Sequence, residues 1–331
     1  MKVLVVRFSS IGDVVLTTPI VRAIKNQLNC EVHFITKKGF KGIIENNPNV
    51  DKIYTIEKSI NEVISALKTE QYDYVIDLHR NVRTFALKRK LGCKSYSFPK
   101  LNLEKWLLVN FKRAAMPEKH VVDRYFEAVK PLGVVNDNLP CDYFIQEQDE
   151  VIISEVFDLV PKSYITIAIG AQFATKRMPI SKLEAIIQEI QKPIILVGGP
   201  TDKELAHRLI ERFSGKALYS ACGNFNLSQS ASIVKQSAVL LTNDTGMMHI
   251  ASCFEIPTVS VWGNTVPELG MYPYFPKAKE NFSIHEVKGL KCRPCSKIGF
   301  KECPNKHFKC MQEQNSAEIV KDLNERFIDS N

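Results

Sequence analysis

The sequence predicts an α/β protein built from two successive doubly wound, Rossmann-like halves that face each other across a cleft. Short β-branched strands alternate with amphipathic helical stretches along nearly the whole chain of 331 residues. The alternation runs once, lapses over residues 134–162, and starts again. With 45% hydrophobic and 24% charged residues the composition is that of an ordinary globular protein. That excludes disordered, collagen-like and coiled-coil chains.

In the first half, residues 2–8 form an apolar strand interrupted by Arg7, and residues 14–28 have helical periodicity with Pro19 early in the run. Strands at 31–35, 52–56 and 74–78 alternate with a short helix at 39–46 and longer ones at 60–69 and 83–91. Residues 103–111 are a largely apolar run with one cation, Lys105, and a helix over 121–132 stops near Gly133. An acidic helix at 147–158 and Pro161 close the weakly ordered connection. In the second half, strands at 164–169, 193–197, 238–242 and 257–262 alternate with helices at 180–190, 202–213, 227–235 and 246–253. A last helix covers 317–328. Strand–helix repetition of this kind makes parallel sheets with right-handed crossovers. The expected domains are 1–150 and 151–313, followed by a C-terminal helix in 314–331.

No apolar run reaches the roughly 18 residues of a spanning helix. The opening segment lacks the cleavage pattern of a secretory signal, so a cytoplasmic protein is expected. The net charge of +8 is unevenly placed. Residues 80–119 hold eleven Lys and Arg side chains and two acidic ones, for +9, which leaves −1 for the rest of the chain. Such segregation favours an anionic partner over a merely solvated face. Nucleic acid, acidic lipid and phosphorylated substrates all satisfy it.

Ligands of Rossmann-like sheets bind at the carboxyl ends of the strands, so the strand-to-helix loops are the candidate sites. The first, residues 9–13, contains Gly12 but neither a dinucleotide fingerprint nor a P-loop lysine. Its Asp13 suits a general base, and equally a first-turn aspartate that satisfies backbone N–H groups. The second loop, residues 170–179, carries Thr175, Lys176 and Arg177, which suit a diphosphate leaving group or a basic surface turn. The third contains Gly199 and Asp202 in a common kind of turn. The fourth, residues 242–249, opens a helix with Asp244, Thr245, Gly246 and His249, where free N–H groups favour an anion. Late in the chain Cys292, Cys295, Cys303 and Cys310, with His307 between the last two, offer soft ligands for a structural zinc. Thiols that simply pack are the other reading.

The motifs SSIGDVVLTTP, GAQFATKRMP, LLTNDTGMMHIAS and PTVSVWGNT, in that order, resemble the ADP-heptose:lipopolysaccharide heptosyltransferases, glycosyltransferase family 9. The cysteine-rich CRPCSKIGFKECPNKHFKCM stretch is similar to one found in some members. The resemblance runs from residue 1 to about 311. It implies a GT-B fold with an acceptor-binding N-terminal half, a nucleotide-sugar-binding C-terminal half and a last helix in 314–331 that packs back towards the N-terminal domain, and inverting transfer that needs no divalent metal. By resemblance Asp13 is the base and Lys176 the cation on the donor diphosphate. Gly12, Thr175, Asp244, Thr245, Gly246 and His249 fall to the donor site. Gly199, Asp202, Gly223, Phe225, Asn226 and Leu227 lie where the nucleoside sits. Phe225 and Asn226 replace a small hydroxylated pair common in the family.

The expected reaction is therefore transfer of a heptose from ADP-heptose to a lipopolysaccharide core or related anionic glycolipid. Peripheral attachment to the cytoplasmic surface of the inner membrane would use Arg80, Arg83, Lys88, Arg89, Lys105 and Trp106. Competing readings are a transferase with another nucleotide sugar, a sugar-nucleotide epimerase, and a basic nucleic-acid-binding protein with a zinc module. For the last, the basic run of residues 80–119 does not coincide with the cysteine cluster and lacks aromatics interleaved for base stacking, so nucleic acid is not expected as a partner.

Overall fold

The computed structural model describes residues 1–113 and 116–329. The chain forms two compact units, one of residues 1–101 with 119–144 and the other of residues 102–118 with 145–331.

The first unit is a five-stranded parallel sheet of β1 (Lys2–Val6), β2 (Glu31–Lys37), β3 (Lys52–Ile56), β4 (Tyr74–Asp77) and β5 (Lys94–Ser97), in the order β3-β2-β1-β4-β5. β1 is hydrogen-bonded on both sides, with Val6 level with Ile35 on β2 and Asp77 on β4. A central parallel strand has no solvent face, which is why Val3, Leu4, Val5 and Val6 are all buried. Leu4, Val6 and Phe8 pack with Ile35, Val75 and Leu87 in one cluster. The strand order reverses between β1 and β4, so this unit's ligand position lies at the ends of those two strands.

Three helices differ from expectation for local reasons. The 14–28 run is two helices, Ile11–Val15 and Thr18–Leu28, because Pro19 fits the first turn of a helix better than its interior. The 39–46 stretch, with Gly39 and Gly42, is a 3₁₀ turn over Lys38–Ile43. The 121–132 run shortens to Val121–Phe126, and Pro131 sits in a separate turn, Lys130–Leu132.

The second unit is a six-stranded parallel sheet of β6 (Ile165–Ala168), β7 (Ile194–Val197), β8 (Leu218–Ser220), β9 (Val239–Asn243), β10 (Thr258–Trp262) and β11 (Phe282–Glu286), in the order β11-β10-β9-β6-β7-β8. Side chains alternate between its faces. Ile167, Leu196 and Leu241 join one core cluster, and Ala168, Ile195 and Leu240 the other. Truncating one of these leucines to alanine costs about 2–5 kcal/mol. The order again reverses next to the first strand, here between β6 and β9. The acidic 147–158 stretch is broken into a turn, Glu147–Asp149, and a helix, Ile153–Phe157.

The apolar stripe of the last helix, Ser316–Asp329, belongs to the second unit: Ile319, Val320, Leu323 and Phe327 are buried in that unit's core. Ser330 and Asn331 lie outside the described residues. The Asn102–Phe111 helix also belongs to the second unit, where Leu108 and Met116 pack on Val266 and Leu269. Its Leu103, Trp106 and Phe111 remain exposed, at 65%, 52% and 58%. Among the described residues no helix is long and apolar enough to cross a membrane.

Candidate active site

Asp13 occupies the third position of the short helix that follows β1. Ser10 donates to its Oδ2 from the hydroxyl (2.8 Å) and the backbone N–H (3.2 Å), forming a capping box. Its Oδ1 meets Arg7 Nη2 at 2.6 Å. The bland and the functional reading of Asp13 are therefore compatible. The backbone contact fixes the carboxylate, whose oxygens have lone pairs to spare and whose side chain is still 23% exposed.

Arg7 holds this arrangement. It is buried, and donates through Nε to Ser9 O (2.8 Å) and through Nη1 to Leu78 O (2.5 Å) and the Tyr125 hydroxyl (3.0 Å). Burial opposes its charge, yet the nearby Asp13 carboxylate raises its pKa above the ordinary value. Across the strand reversal, Asp77 Oδ1 accepts from the N–H groups of His79 (3.1 Å) and Arg80 (2.7 Å). Arg7 and His79 went unassigned in the sequence. The available signal was a charge inside an otherwise apolar strand.

In the second unit, Lys176 and Asp244 come from the loops after β6 and β9 and meet across the corresponding reversal, Nζ to Oδ2 at 2.6 Å. The same Oδ2 accepts from the Thr265 hydroxyl at 2.7 Å. Thr245 is the N-cap of the Gly246–Cys253 helix, but its hydroxyl faces that of Thr242 (3.3 Å) and does not cap. The helix start therefore offers its N–H groups to an anion. His249 lies on the next turn and is buried.

Asp202 is seated by glycine. A side chain on Gly170 would meet its Oδ2 at 2.2 Å, and one on Gly198 would meet it at 2.9 Å. Gly199 N–H donates to that oxygen (2.9 Å), and Arg177 Nη1 lies 3.8 Å from the other. Gly223, at φ +69°, packs its backbone on Pro200. Gly199, Asp202 and Gly223 are thus one neighbourhood. Phe225 and Asn226 are engaged otherwise: Phe225 packs on Phe157 at 6.1 Å, and Asn226 caps the Leu227–Lys235 helix while its amide donates to Asp149 (2.8 Å). Leu227 is the first residue of that helix and half-buried.

Thr175 ties the lysine loop to the cysteine-rich segment. Phe300 N–H donates to its hydroxyl (2.8 Å), and its own N–H donates to Phe300 O (3.2 Å). Gly299, at φ +127°, lies flat on Phe173, where any side chain would meet it at 2.6 Å. Arg293 donates to Gly263 O, Thr265 O and Val287 O and pairs with Glu286. Within the segment the Cys295 thiol donates to Cys292 O (3.0 Å), and Cys292 Sγ lies 3.8 Å from His307 Nε2. Burial, then neighbouring Cys292, pushes the Cys295 thiol up to about 11; burial, then Cys295, pushes Cys310 up to about 12. Among the described residues the one trio of possible metal ligands within 4.8 Å is Glu31, His33 and Glu70, not these cysteines. Lys2 and Lys52 already neutralise Glu70, at 2.5 and 2.6 Å.

The basic run divides between the units. Arg80, Arg83 and Arg89 are exposed on the first, where Lys88 pairs with Asp77 at 3.0 Å. Lys105 and Trp106 are part of the second.

The family model for glycosyltransferase family 9 (heptosyltransferase) matches residues 60–325. Lipopolysaccharide heptosyltransferase 1 of Campylobacter coli is 24% identical over 294 residues, spanning 80% of this chain and 84% of its own. A family 9 glycosyltransferase from Veillonella parvula DSM 2008 has a similar structure, with a TM-score of 0.79 at 20% identity over 99% of this chain and 97% of its own. E. coli heptosyltransferase WaaC, solved with ADP, gives 0.68 at 21% over 98% and 100%. The fold is GT-B, with two Rossmann-like units. The chain belongs to glycosyltransferase family 9 (heptosyltransferase) and is a glycosyltransferase.

Proposed function

We propose that the enzyme transfers a heptose from ADP-heptose to a lipopolysaccharide core or related anionic glycolipid, with inversion and without a divalent ion in the transfer step. The observation that carries this reading is the Lys176–Asp244 pair at the β6/β9 reversal, beside a helix start free of a side-chain cap. These are the groups a departing nucleoside diphosphate needs. The E. coli relative solved with ADP and the Campylobacter coli lipopolysaccharide enzyme support the donor and acceptor classes.

Asp13 accepts the proton of the acceptor hydroxyl as its oxygen bonds to the anomeric carbon. The bond from that carbon to the phosphate oxygen breaks, and its electron pair leaves with the diphosphate. Lys176 moves from Asp244 to the leaving phosphate and, with the N–H groups at Gly246, holds the developing charge. One preorganised donor of this kind is worth about 3 kcal/mol. Thr175 and His249 shape the donor site around Lys176, and Gly12 precedes the base in the first unit's loop. Gly199, Asp202, Gly223 and Leu227 receive the nucleoside, with Phe225 and Asn226 as structural supports of its edge.

The working place in this reading is the cytoplasmic surface of the inner membrane. Leu103, Trp106 and Phe111 are the apolar contact, and Lys105 and the arginines at 80, 83 and 89 the anion contact. Nucleic acid is not a partner. Cys292, Cys295, Cys303 and Cys310 fit a structural zinc in ligand chemistry and share one neighbourhood, with sulfurs still open in spacing. Bound there, zinc would brace the segment that holds Thr175. Metal analysis of the purified protein tests it.

The decisive experiment incubates the enzyme, with chelator present, with heptose-free core glycolipid and ADP-, UDP- or GDP-sugars. Mass spectrometry and the anomeric NMR coupling of the product read the outcome. Transfer from ADP-heptose with inverted configuration is expected. Free epimerised nucleotide sugar, or preference for another nucleotide, overturns the reading.

A further inference from the structure

Around the β1/β4 reversal nearly every charged group is already engaged. Arg7 is bonded through Nε and both terminal nitrogens, and Asp13 is held by Arg7 and Ser10. Asp77 is held by two backbone N–H groups and Lys88, and Lys100 Nζ donates to His79 O (2.9 Å) and Arg80 O (3.0 Å). The imidazole of His79 is the exception. Its ring leans on Phe8 with centroids 5.2 Å apart, and its Nδ1 is enclosed without a partner. Nε2 has no partner either, and it is not enclosed.

The chemistry of that ring is set by its surroundings. Burial, then Arg7 and Lys100, pushes its pKa down to about 4 against the opposing pull of Asp13 and Asp77. It is therefore neutral near pH 7. An enclosed orphan N–H is rarer than an enclosed orphan acceptor, which puts the proton on Nε2, the open side. Asp13 follows β1 and His79 follows β4, and these strands are hydrogen-bonded neighbours. A proton acceptor and an unused neutral donor thus flank one strand reversal.

We propose that His79 is an acceptor-binding residue: its Nε2–H donates to an oxygen of the acceptor sugar next to the hydroxyl that Asp13 deprotonates. A neutral donor suits a sugar hydroxyl or ring oxygen, whereas the neighbouring cations suit the anionic groups of the same molecule. Fixing a second oxygen sets which hydroxyl faces the base, so the residue orients as well as binds. This rests on the transfer reaction proposed above.

The test uses the full chain with ADP-heptose and heptose-free core glycolipid. His79→Phe keeps a ring against Phe8 and removes the donor. Its acceptor KM should rise about tenfold, while the donor Kd stays within twofold. His79→Gln restores an N–H and should recover most of the loss. An acceptor KM within twofold of wild type in His79→Phe overturns the inference. So do equal losses of donor and acceptor binding, which mark a structural role. If His79→Phe does not fold, His79→Ala is read by the same criteria. Wild-type enzyme that transfers nothing to this acceptor overturns instead the functional reading beneath.

Discussion

Lys176 Nζ lies 2.6 Å from Asp244 Oδ2, so the cation assigned to the leaving phosphate is neutralised by a carboxylate from the adjacent strand end. Both side chains are mostly buried, at 16% and 10% exposure, and the pair is held in place by Thr265. An incoming diphosphate therefore competes with Asp244, and the lysine waits in an ordered position. Lys176→Met should lower kcat about 10²–10³-fold, the usual cost of removing one preorganised charge donor. Steady-state kinetics with saturating donor check this.

Asp13 is the group proposed to take the acceptor proton. Asp13→Asn keeps the shape and the Arg7 contact on one oxygen but removes the base. Turnover should fall about 10²–10⁴-fold, with donor affinity within twofold of wild type by calorimetry. Unchanged turnover would remove Asp13 from the mechanism.

The depressed pKa of His79, at about 4, has a consequence for stability. The ordinary histidine value is near 6.5, so between about pH 4 and 6.5 the unfolded chain binds more protons than the folded one. Stability should therefore climb with pH through that window and level off above it. Allowing for solvent access to the ring, the contribution is at most about 2 kcal/mol. Urea titrations at pH 4.5 and 7.5 measure it, and His79→Gln should show a smaller difference between the two.

Trp106 and Phe111 stack edge-on at 5.2 Å on the surface of a helix whose Leu108 is buried against Val266 and Leu269. Replacing both with serine should change stability by less than about 0.5 kcal/mol each. Sedimentation with anionic vesicles should fall severalfold, and activity on a detergent-dispersed acceptor should hold. Equal sedimentation of wild type and variant would detach this helix from the membrane reading.

The central strands were legible in the sequence because parallel strands covered on both faces leave dense apolar runs, as in Val3–Val6 or Val239–Leu241. Of the edge strands Lys52–Ile56 was legible too, but three others were not. Lys94–Ser97 and Leu218–Ser220 are short, and Lys94–Ser97 and Phe282–Glu286 are half exposed, so these strands carry little apolar signal. Lys176 and Asp244 could be found because loops after β-strands are a small set and these carry charge. Their direct pairing could not, since it depends on which strands become neighbours. His79 was invisible for a further reason: its distinguishing property is a missing partner, and only coordinates reveal that.

The bond between Thr175 and Phe300 spans 125 residues of sequence. The posture of the lysine loop is thus borrowed from a far later stretch, which Arg293 in turn rivets to the Thr265 turn. A descendant that shortened residues 288–310 would keep every motif of the first βα units, yet its Lys176 would stand on an unbraced loop. Catalytic decay in such lineages should begin there, far along the chain from the lysine itself.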